Sequence, residues 1–421
     1  MTTETVEVLK LSLHGMTVGY LAGYQNGRNI LVFDPTYIAN TDRPTLTLSG
    51  VSEHPASKTL FTKPWMRQQR LHPVLSNLLP EGALREWFAQ MLKVHPDNDF
   101  SLFAQLADDL PGALVAEPVQ PGDIPEGVLN HRTTIEPIPQ RVLHGRPHFS
   151  LAGVQMKFSM HERDGRFLVS QPGELGEWII KTPSTQHKDV PFNEFTMMNL
   201  ASLAGIEIPD IKLVELGQLQ DLPPINLPDE QYAYAIRRFD RDDQRIRIHA
   251  EDFAQVLFKF AHEKYGSANY EQVGKIIQQF TGHGLANIQQ MARRLLVNIL
   301  LANGDAHLKN WSLFYPDKVT AELAPAYDIV YTQAYIPGEK QISLNLAGNK
   351  DWYNMSMVSF ESWTKSVGVP WRAIKPHLDD VMEKAHNLWP AYLADSPMND
   401  NQKILLKKHW NTLHDDFRID A

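Results

Sequence analysis

The chain contains no cysteine in 421 residues. That absence excludes disulfides, Cys-ligated zinc, thiolate-held iron–sulfur clusters and thiol catalysis. No run approaches about 18 uninterrupted apolar residues, which excludes a helix spanning a bilayer. The opening Met1-Thr2-Thr3-Glu4-Thr5-Val6-Glu7 lacks the basic start and apolar stretch of a secretion signal, so the expected compartment is the cytoplasm. An excess of positive charge is missing as well. Forty basic residues stand against 49 acidic ones, for a net charge of −9. Such a chain is a poor stand-alone binder of duplex nucleic acid, whose phosphates must be neutralised by Lys and Arg. The 17 histidines show no H-E-x-x-H or similar metal spacing. There is no internal repeat and no low-complexity segment.

What is present is an ordinary globular composition, 43% hydrophobic and 21% charged. The length suits two or three compact units of about 100 to 200 residues. Residues 6–35 alternate in polarity around His14-Gly15 and predict a hairpin with a further strand at Ile30–Asp34. Thr45–Val51 is a candidate strand. Val74–Leu79, Leu84–Leu92 and Phe100–Leu110 carry helical spacing. Residues 117–147 are proline-rich and read as a linker or a wrapped surface segment. Strands are expected again at Met156–Met160 and Arg166–Gln171, around the hairpin signal Asp164-Gly165, and at Glu177–Thr182 and Ala233–Phe239. A helix is expected at Asn193–Ala204. Beyond Asp240 the chain turns helical: Ala250–His262, Tyr270–Phe280, Ile288–Leu301, Met357–Val367, Pro376–Trp389 and Asn401–His414. Pro376 is placed at a helix start and Pro390 just past a helix end. The expected units are 1–145, 146–240 and 241–421. They amount to an N-terminal α/β subdomain, a β-rich small lobe and a helical large lobe. This α+β order is that of protein kinases, although order alone does not fix function.

The strongest chemical signal is Asn303-Gly304-Asp305-Ala306-His307-Leu308-Lys309-Asn310, which follows the apolar helix Leu295–Leu301. Asp305 and Asn310 have the D-x-x-x-x-N spacing of a kinase catalytic loop. A carboxylate there orients the acceptor hydroxyl and takes its proton, while the nearby amide oxygen helps hold a metal. Asp328, in Ala324-Pro325-Ala326-Tyr327-Asp328, lies 18 residues beyond Asn310. A hairpin through Trp311–Tyr315 and Pro316-Asp317 returns it beside Asn310. Asn310 and Asp328 then form a minimal set of hard oxygen donors for Mg²⁺, completed by phosphate. Asp and Asn after a helix are also common caps and turn formers, but all three at this spacing favour the catalytic reading. Lys181 interrupts an apolar strand, Trp178-Ile179-Ile180-Lys181, where burial is costly unless it meets a partner or a phosphate. Glu194 is positioned either to orient Lys181 or simply to favour a helix dipole. The loop Ser150-Leu151-Ala152-Gly153-Val154-Gln155-Met156-Lys157 precedes a hairpin and offers backbone N–H groups to a triphosphate. It has one glycine and matches neither G-x-G-x-x-G nor a Walker A pattern.

Together these segments resemble the HipA family, the kinase half of HipBA toxin–antitoxin pairs. The resemblance covers nearly the whole chain. It rests on Asn77–Gly82, Asp109–Leu114, Ser150–Lys157, Ile180-Lys181, Asn193-Glu194, Arg238-Phe239-Asp240-Arg241, Glu251-Asp252-Phe253, Asn303–Asn310 and Pro325–Asp328. Asp109–Leu114 departs from the family's usual form, in which a Gly precedes the Asp. The resemblance implies a kinase-like fold, Mg²⁺ and ATP as cofactors, and phosphorylation of a Ser or Thr on a protein. One family member phosphorylates glutamyl-tRNA synthetase, which blocks charging and slows growth. The implied catalytic residues are Asp305 and Lys181. Nucleotide contacts are implied for Ala152, Gly153, Val154, Gln155, Lys157 and Lys181, for the hinge at Ala235–Phe239 (Ile236 and Phe239), and for Gln255, His307, Lys309, Asn310 and Asp328. His307 is expected as a hydrogen-bonding neighbour and not a metal ligand. Asn310 and Asp328 are the implied metal ligands. Ser150 is the implied site of autophosphorylation, where nearly two negative charges would stand against the ATP phosphates. The implied partner is a HipB-like helix-turn-helix antitoxin dimer, with operator DNA contacted through the complex. Two other readings remain at this point. One is a kinase-fold phosphotransferase acting on a small molecule, which has no need of the Ser150 loop or of the N-terminal part. The other is a non-catalytic co-repressor, which has no need of Asp305, Asn310, Asp328 and Lys181.

Overall fold

The computed structural model describes residues 4–51, 53–120, 122–124, 133–135, 156–169, 175–222 and 226–420. The first unit is built on a six-stranded sheet of order β4-β3-β2-β1-β5, with β6 pairing parallel to β1. Its strands are β1 (Glu4–Leu13), β2 (Met16–Tyr24), β3 (Arg28–Phe33), β4 (Trp65–Gln68), β5 (Leu114–Pro118) and β6 (Thr133–Ile135). The β1–β2 turn is closed by His14 and Gly15, both at positive φ, the backbone a two-residue hairpin requires. Alternation along β1 sends Leu9, Leu11 and Leu13 into the core. The strands are accompanied by α1 (Pro35–Ala39), α2 (Ser57–Leu60), α3 (Pro73–Ser76), α4 (Gly82–Leu92) and α5 (Asp99–Leu106). Leu75, Leu92, Leu102 and Phe103 from these helices join the same buried cluster. The expected strand at Thr45–Val51 is instead extended chain ending in a 3₁₀ turn, Leu48–Gly50. Its polar groups are drawn off into contacts with the rest of the chain: Thr47 Oγ1 and the Leu48 N–H both donate to Glu251. Of the proline-rich stretch, residues 133–135 form β6, while residues 125–132 and 136–147 lie outside the described residues.

The second sheet has the order β10-β12-β9-β7-β8-β11. Its members are β7 (Lys157–Arg163), β8 (Arg166–Val169), β9 (Trp178–Lys181), β10 (Ile211–Glu215), β11 (Leu219–Gln220) and β12 (Tyr232–Arg237). Helix α6 (Val190–Leu203) buries Met197, Met198, Leu200 and Ala201 in a core shared with Tyr234 and Ile236 of β12. The β7–β8 turn falls at Asp164-Gly165, again with both residues at positive φ.

The remainder is mainly helical: α7 (Phe253–Val256), α8 (Tyr270–Phe280), α9 (Gly284–Leu300), α10 (Met357–Val367), α11 (Trp371–Asp395) and α12 (Asp400–Thr412). Helix α9 is the spine, with every residue from Arg294 to Leu300 buried. Trp363, Trp389 and Trp410 are buried around it and donate their indole N–H groups to backbone carbonyls at 2.8–3.1 Å. This satisfies the one polar atom each carries into the core. Strands β13 (His249–Asp252), β14 (Ser312–Tyr315) and β15 (Glu322–Leu323) form a small sheet beside it, and β16 (Gln341–Leu346) pairs with β17 (Asn349–Asp351). No helix among the described residues is long and apolar enough to cross a membrane.

Two expectations are corrected here. Ala250–His262 is not one helix. Residues 249–252 pair with β14, and the Asp252/Gln255 capping box starts α7 only at Phe253. Phe258 at φ +54° lies just beyond its end. Pro376 and Pro390 do not bound a helix but lie inside α11. Each removes a donor from the ladder. Seven buried side chains between Ile374 and Leu393 hold the helix through both interruptions.

The N-terminal unit is locked to the rest by buried charge. Arg238 bonds the two oxygens of Asp240 at 2.8 Å each and Asp109 at 2.9 Å; Arg241 bonds Asp109 at 2.8 Å and the Gly112 carbonyl at 3.0 Å. The Gly112 N–H closes the circuit on Asp240 at 2.7 Å. Burial would raise the Asp240 carboxyl, but Arg238 and Arg241 outweigh it and hold its pKa well below the usual range.

Candidate active site

Lys181 ends β9, between β7 and β12, facing Lys157 on one side and Tyr234 on the other. It is no edge-strand lysine: its exposure is 3%. A cation buried this deeply requires compensation. Two carboxylates provide it, Glu194 from the first turns of α6 and Asp328 from the segment after β15. Burial works against the Lys181 charge, but Asp328 and Glu194 outweigh it and raise its pKa. Burial likewise opposes ionisation of Asp328, yet Lys157, at 3.2 Å, and Lys181 hold its pKa far below the usual range. Burial raises the pKa of Glu194. Asp328 has φ +56°, an uncommon backbone for a residue with a side chain. The next link outward is aromatic: Tyr327 stacks on Phe239 with ring centroids 5.7 Å apart and donates its hydroxyl to the Lys309 carbonyl at 2.9 Å.

The loop carrying Asp305 follows α9. Ala302 turns the chain with φ +45°, and the Asp305 N–H is capped by Asn303 Oδ1 at 3.1 Å. The Asn310 amide N–H₂ donates to the Asp305 carbonyl at 2.8 Å, which leaves the Asn310 Oδ1 for another partner. Asn310 and Asp328 line one small cavity together with Asn298, Asn303 and Arg294. The β14–β15 hairpin accounts for the meeting of two residues so far apart in sequence. The Glu339 carboxylate packs against Gly304, where a Cβ would have to displace it.

Several residues expected at the nucleotide have protein partners in this structure. Lys309 points to the N-terminal unit, with Nζ 3.0 Å from the Asn77 carbonyl, 3.1 Å from Asn77 Oδ1 and 3.0 Å from Asp252. The Gln255 side chain accepts from the Asp252 N–H at 2.9 Å and donates to the Val74 carbonyl at 2.7 Å. In this structure protein acceptors and donors hold the polar ends of both side chains. Ile236 stands within the sheet, paired to Ile179 and Ile211, so the expected hinge begins only after Arg237. His307 is buried, with Nε2 3.9 Å from Asp305 and, among the described residues, no hydrogen-bond partner for Nδ1. Burial lowers its pKa. Ser150, Ala152, Gly153, Val154 and Gln155 lie outside the described residues. Sequence reading missed Tyr265, whose hydroxyl donates to Asp305 Oδ1 at 2.7 Å. It also missed Arg294, buried at the cavity. Neither belongs to a spacing pattern that would have flagged it.

Among the described residues no group of three or more His, Cys, Asp or Glu could hold a metal by itself. One carboxylate and one amide oxygen at the same cavity suit a Mg²⁺ ion whose other ligands are phosphate oxygens and water. Lys181 and Lys157 are the cations that would meet those phosphates. The donor chemistry therefore fits a metal–triphosphate.

A profile of the HipA-like C-terminal domain matches residues 149–389, and one of the HipA N-terminal domain matches residues 9–117. A Sinorhizobium fredii protein bearing the name "Putative kinase Y4dM" is 36% identical over 399 residues, 93% of this chain and 94% of the relative. A Shewanella oneidensis protein, "Serine/threonine-protein kinase toxin HipA", is 24% identical over 395 residues, 86% of each. A chain of the solved Shewanella oneidensis complex of HipA, HipB and operator DNA superposes with a TM-score of 0.70 at 20% identity. The match covers 96% of this chain and 95% of that one. This likeness identifies the fold as α+β and kinase-like, with an added N-terminal α/β unit.

Proposed function

We infer the function from a premise that the profiles and relatives establish: the chain belongs to the HipA family. We propose that it is a protein kinase that transfers the γ-phosphate of ATP to a Ser or Thr hydroxyl of a protein, with Mg²⁺. The observation that carries this reading is the buried Lys181 held between Glu194 and Asp328, with Asp328 and Asn310 lining one cavity. A bound Mg-ATP supplies the phosphoryl group and the metal charge that offsets its oxygens. Lys181, kept protonated and oriented by Glu194, takes phosphate oxygens, with Lys157 beside it. Asp328 and Asn310 Oδ1 hold the metal. Asp305 orients the acceptor hydroxyl and receives its proton as the oxygen–phosphorus bond forms and ADP leaves.

The proposal extends to three finer points. Ser150 is the autophosphorylation site, and its modification switches the chain off. The antitoxin is a small helix-turn-helix dimer of the HipB kind, through which this acidic chain is brought to operator DNA. The protein substrate is an aminoacyl-tRNA synthetase, with the glutamyl enzyme the first to test. The deciding experiment is intact mass and peptide mapping after incubation with Mg-ATP, beside Asp305→Asn. Phosphate gained at Ser150 by the wild type alone supports the reading. No phosphate on a chain shown to start unmodified and to bind ATP turns it toward a small-molecule phosphotransferase or a non-catalytic co-repressor.

A further inference from the structure

Asp305 carries its side chain into the open, with 48% exposure. A carboxylate so placed samples many orientations unless something holds it. Among the described residues, the hydrogen bond its oxygens make is from the hydroxyl of Tyr265, at 2.7 Å to Oδ1. Oδ2 is thereby the oxygen left for an acceptor. Tyr265 is itself 46% exposed, in the turn between a 3₁₀ segment (Ala261–Glu263) and α8, and burying its hydroxyl is not the reason for its position. What holds it is a chain of contacts that begins in the N-terminal unit. Glu81, at the start of α4, bonds Lys264 Nζ at 2.9 Å and also lies 3.4 Å from Lys309 Nζ of the Asp305 loop. The Lys264 ammonium sits 5.4 Å from the Tyr265 ring centroid, within cation–π reach. The ring also meets His307 edge-on, with centroids 5.0 Å apart. The Lys264 carbonyl also accepts the Leu308 N–H at 3.3 Å, so this turn and the Asp305 loop share a backbone bond. Partial burial and then the Asp305 charge raise the Tyr265 pKa, so the hydroxyl remains a donor throughout the ordinary pH range.

We propose that Tyr265 is the positioning residue for Asp305, and that the N-terminal unit takes part in catalysis by setting Tyr265 through the Glu81–Lys264 pair. The inference rests on the kinase reading above. It assigns the added N-terminal unit a role in the rate of transfer, in addition to its packing.

The test uses the full chain as wild type, Tyr265→Phe, Glu81→Gln and the double variant. Three quantities are measured: the initial rate of phosphate incorporation at saturating Mg-ATP, the dissociation constant for a non-hydrolysable ATP analogue, and the melting temperature. Tyr265→Phe is expected to lower the rate about tenfold while leaving analogue affinity and melting unchanged, since it disturbs the alignment of one reacting group. Glu81→Gln is expected to lower the rate about threefold, and the double variant to match Tyr265→Phe, because Glu81 acts through the ring. A Tyr265→Phe rate equal to wild type overturns the inference, as does a loss explained by weaker analogue binding or lower melting. Rate losses that multiply in the double variant overturn the route through Glu81. A wild type that binds the analogue but transfers nothing overturns the kinase reading itself, and this inference with it. Transfer by the wild type with a fully active Tyr265→Phe overturns this inference alone.

Discussion

Lys309 reaches back from the Asp305 loop and bonds Asn77 twice, at the backbone carbonyl and at Oδ1. Asn77 in turn donates to the Lys259 carbonyl at 2.8 Å. One side chain of the N-terminal unit therefore ties the Asp305 loop to the segment after α7, and Asp252, at 3.0 Å, and Glu81, at 3.4 Å, supply the charge that balances the lysine.

Lys309→Met should thus behave as a junction mutant. It leaves Asp252 and the Asn77 acceptors without their cation in a largely buried place, at a cost of about 3 kcal/mol. Denaturant unfolding checks this. ATP-analogue affinity should stay within about twofold, the amount expected when no nucleotide contact is lost. A large affinity loss with unchanged stability would restore Lys309 to the nucleotide site.

Lys181→Met removes the cation between two buried carboxylates. At pH 7 the variant should lose about 3–5 kcal/mol of stability, beyond its loss of nucleotide binding. The deficit should shrink as pH falls. Without Lys181 the Glu194 carboxyl, already raised by burial, rises further and Asp328 keeps only Lys157 as its cation, so the variant's folded state binds more protons than the wild type's and recovers stability relative to it on acidification. Urea unfolding of both proteins at pH 5 and pH 7 measures the difference.

Glu251 gives a second pH dependence, in the wild type. It is buried at the joint between units, where Thr47, the Leu48 N–H and the Tyr315 hydroxyl all donate to it. Burial nevertheless pushes its pKa up to about 7. The folded state holds a proton that the unfolded state has lost above roughly pH 4.5, so this group's contribution to stability falls as pH rises from about 4.5 to 7 and is constant beyond. The full effect is up to about 3 kcal/mol. Glu251→Gln keeps the shape and can still accept from Leu48 and Tyr315. Its stability should lack this slope, which unfolding at pH 5, 6, 7 and 8 beside the wild type will show.

The catalytic-loop residues could be read from the sequence because their chemistry demands fixed spacing. Asp305, Asn310 and Asp328 announce one another, and Lys181 stands out in an apolar strand. The motifs Asp109–Leu114 and Arg238–Arg241 were also visible as words, but not as the two halves of one ion-pair network. Complementarity across 129 residues leaves no local pattern. Lys309 stands one residue before Asn310 in sequence, yet its side chain and that of Gln255 reach toward Asn77 and Val74 of the N-terminal unit, since side-chain direction depends on which unit packs over the loop. Tyr265 was hidden because a tyrosine in a turn has no periodicity to betray it. The prolines of α11 misled for the opposite reason: a strong local rule was overridden by a buried face long enough to carry the helix past them.

Lys157 and Lys181 are directly opposed across β7 and β9, and both meet Asp328. A strand that slips by one residue turns every side chain to the other face. A β7 paired one step out of line would send Lys157 away from Asp328. Alignment of the small sheet and the meeting of Lys157 with Asp328 are therefore the same event.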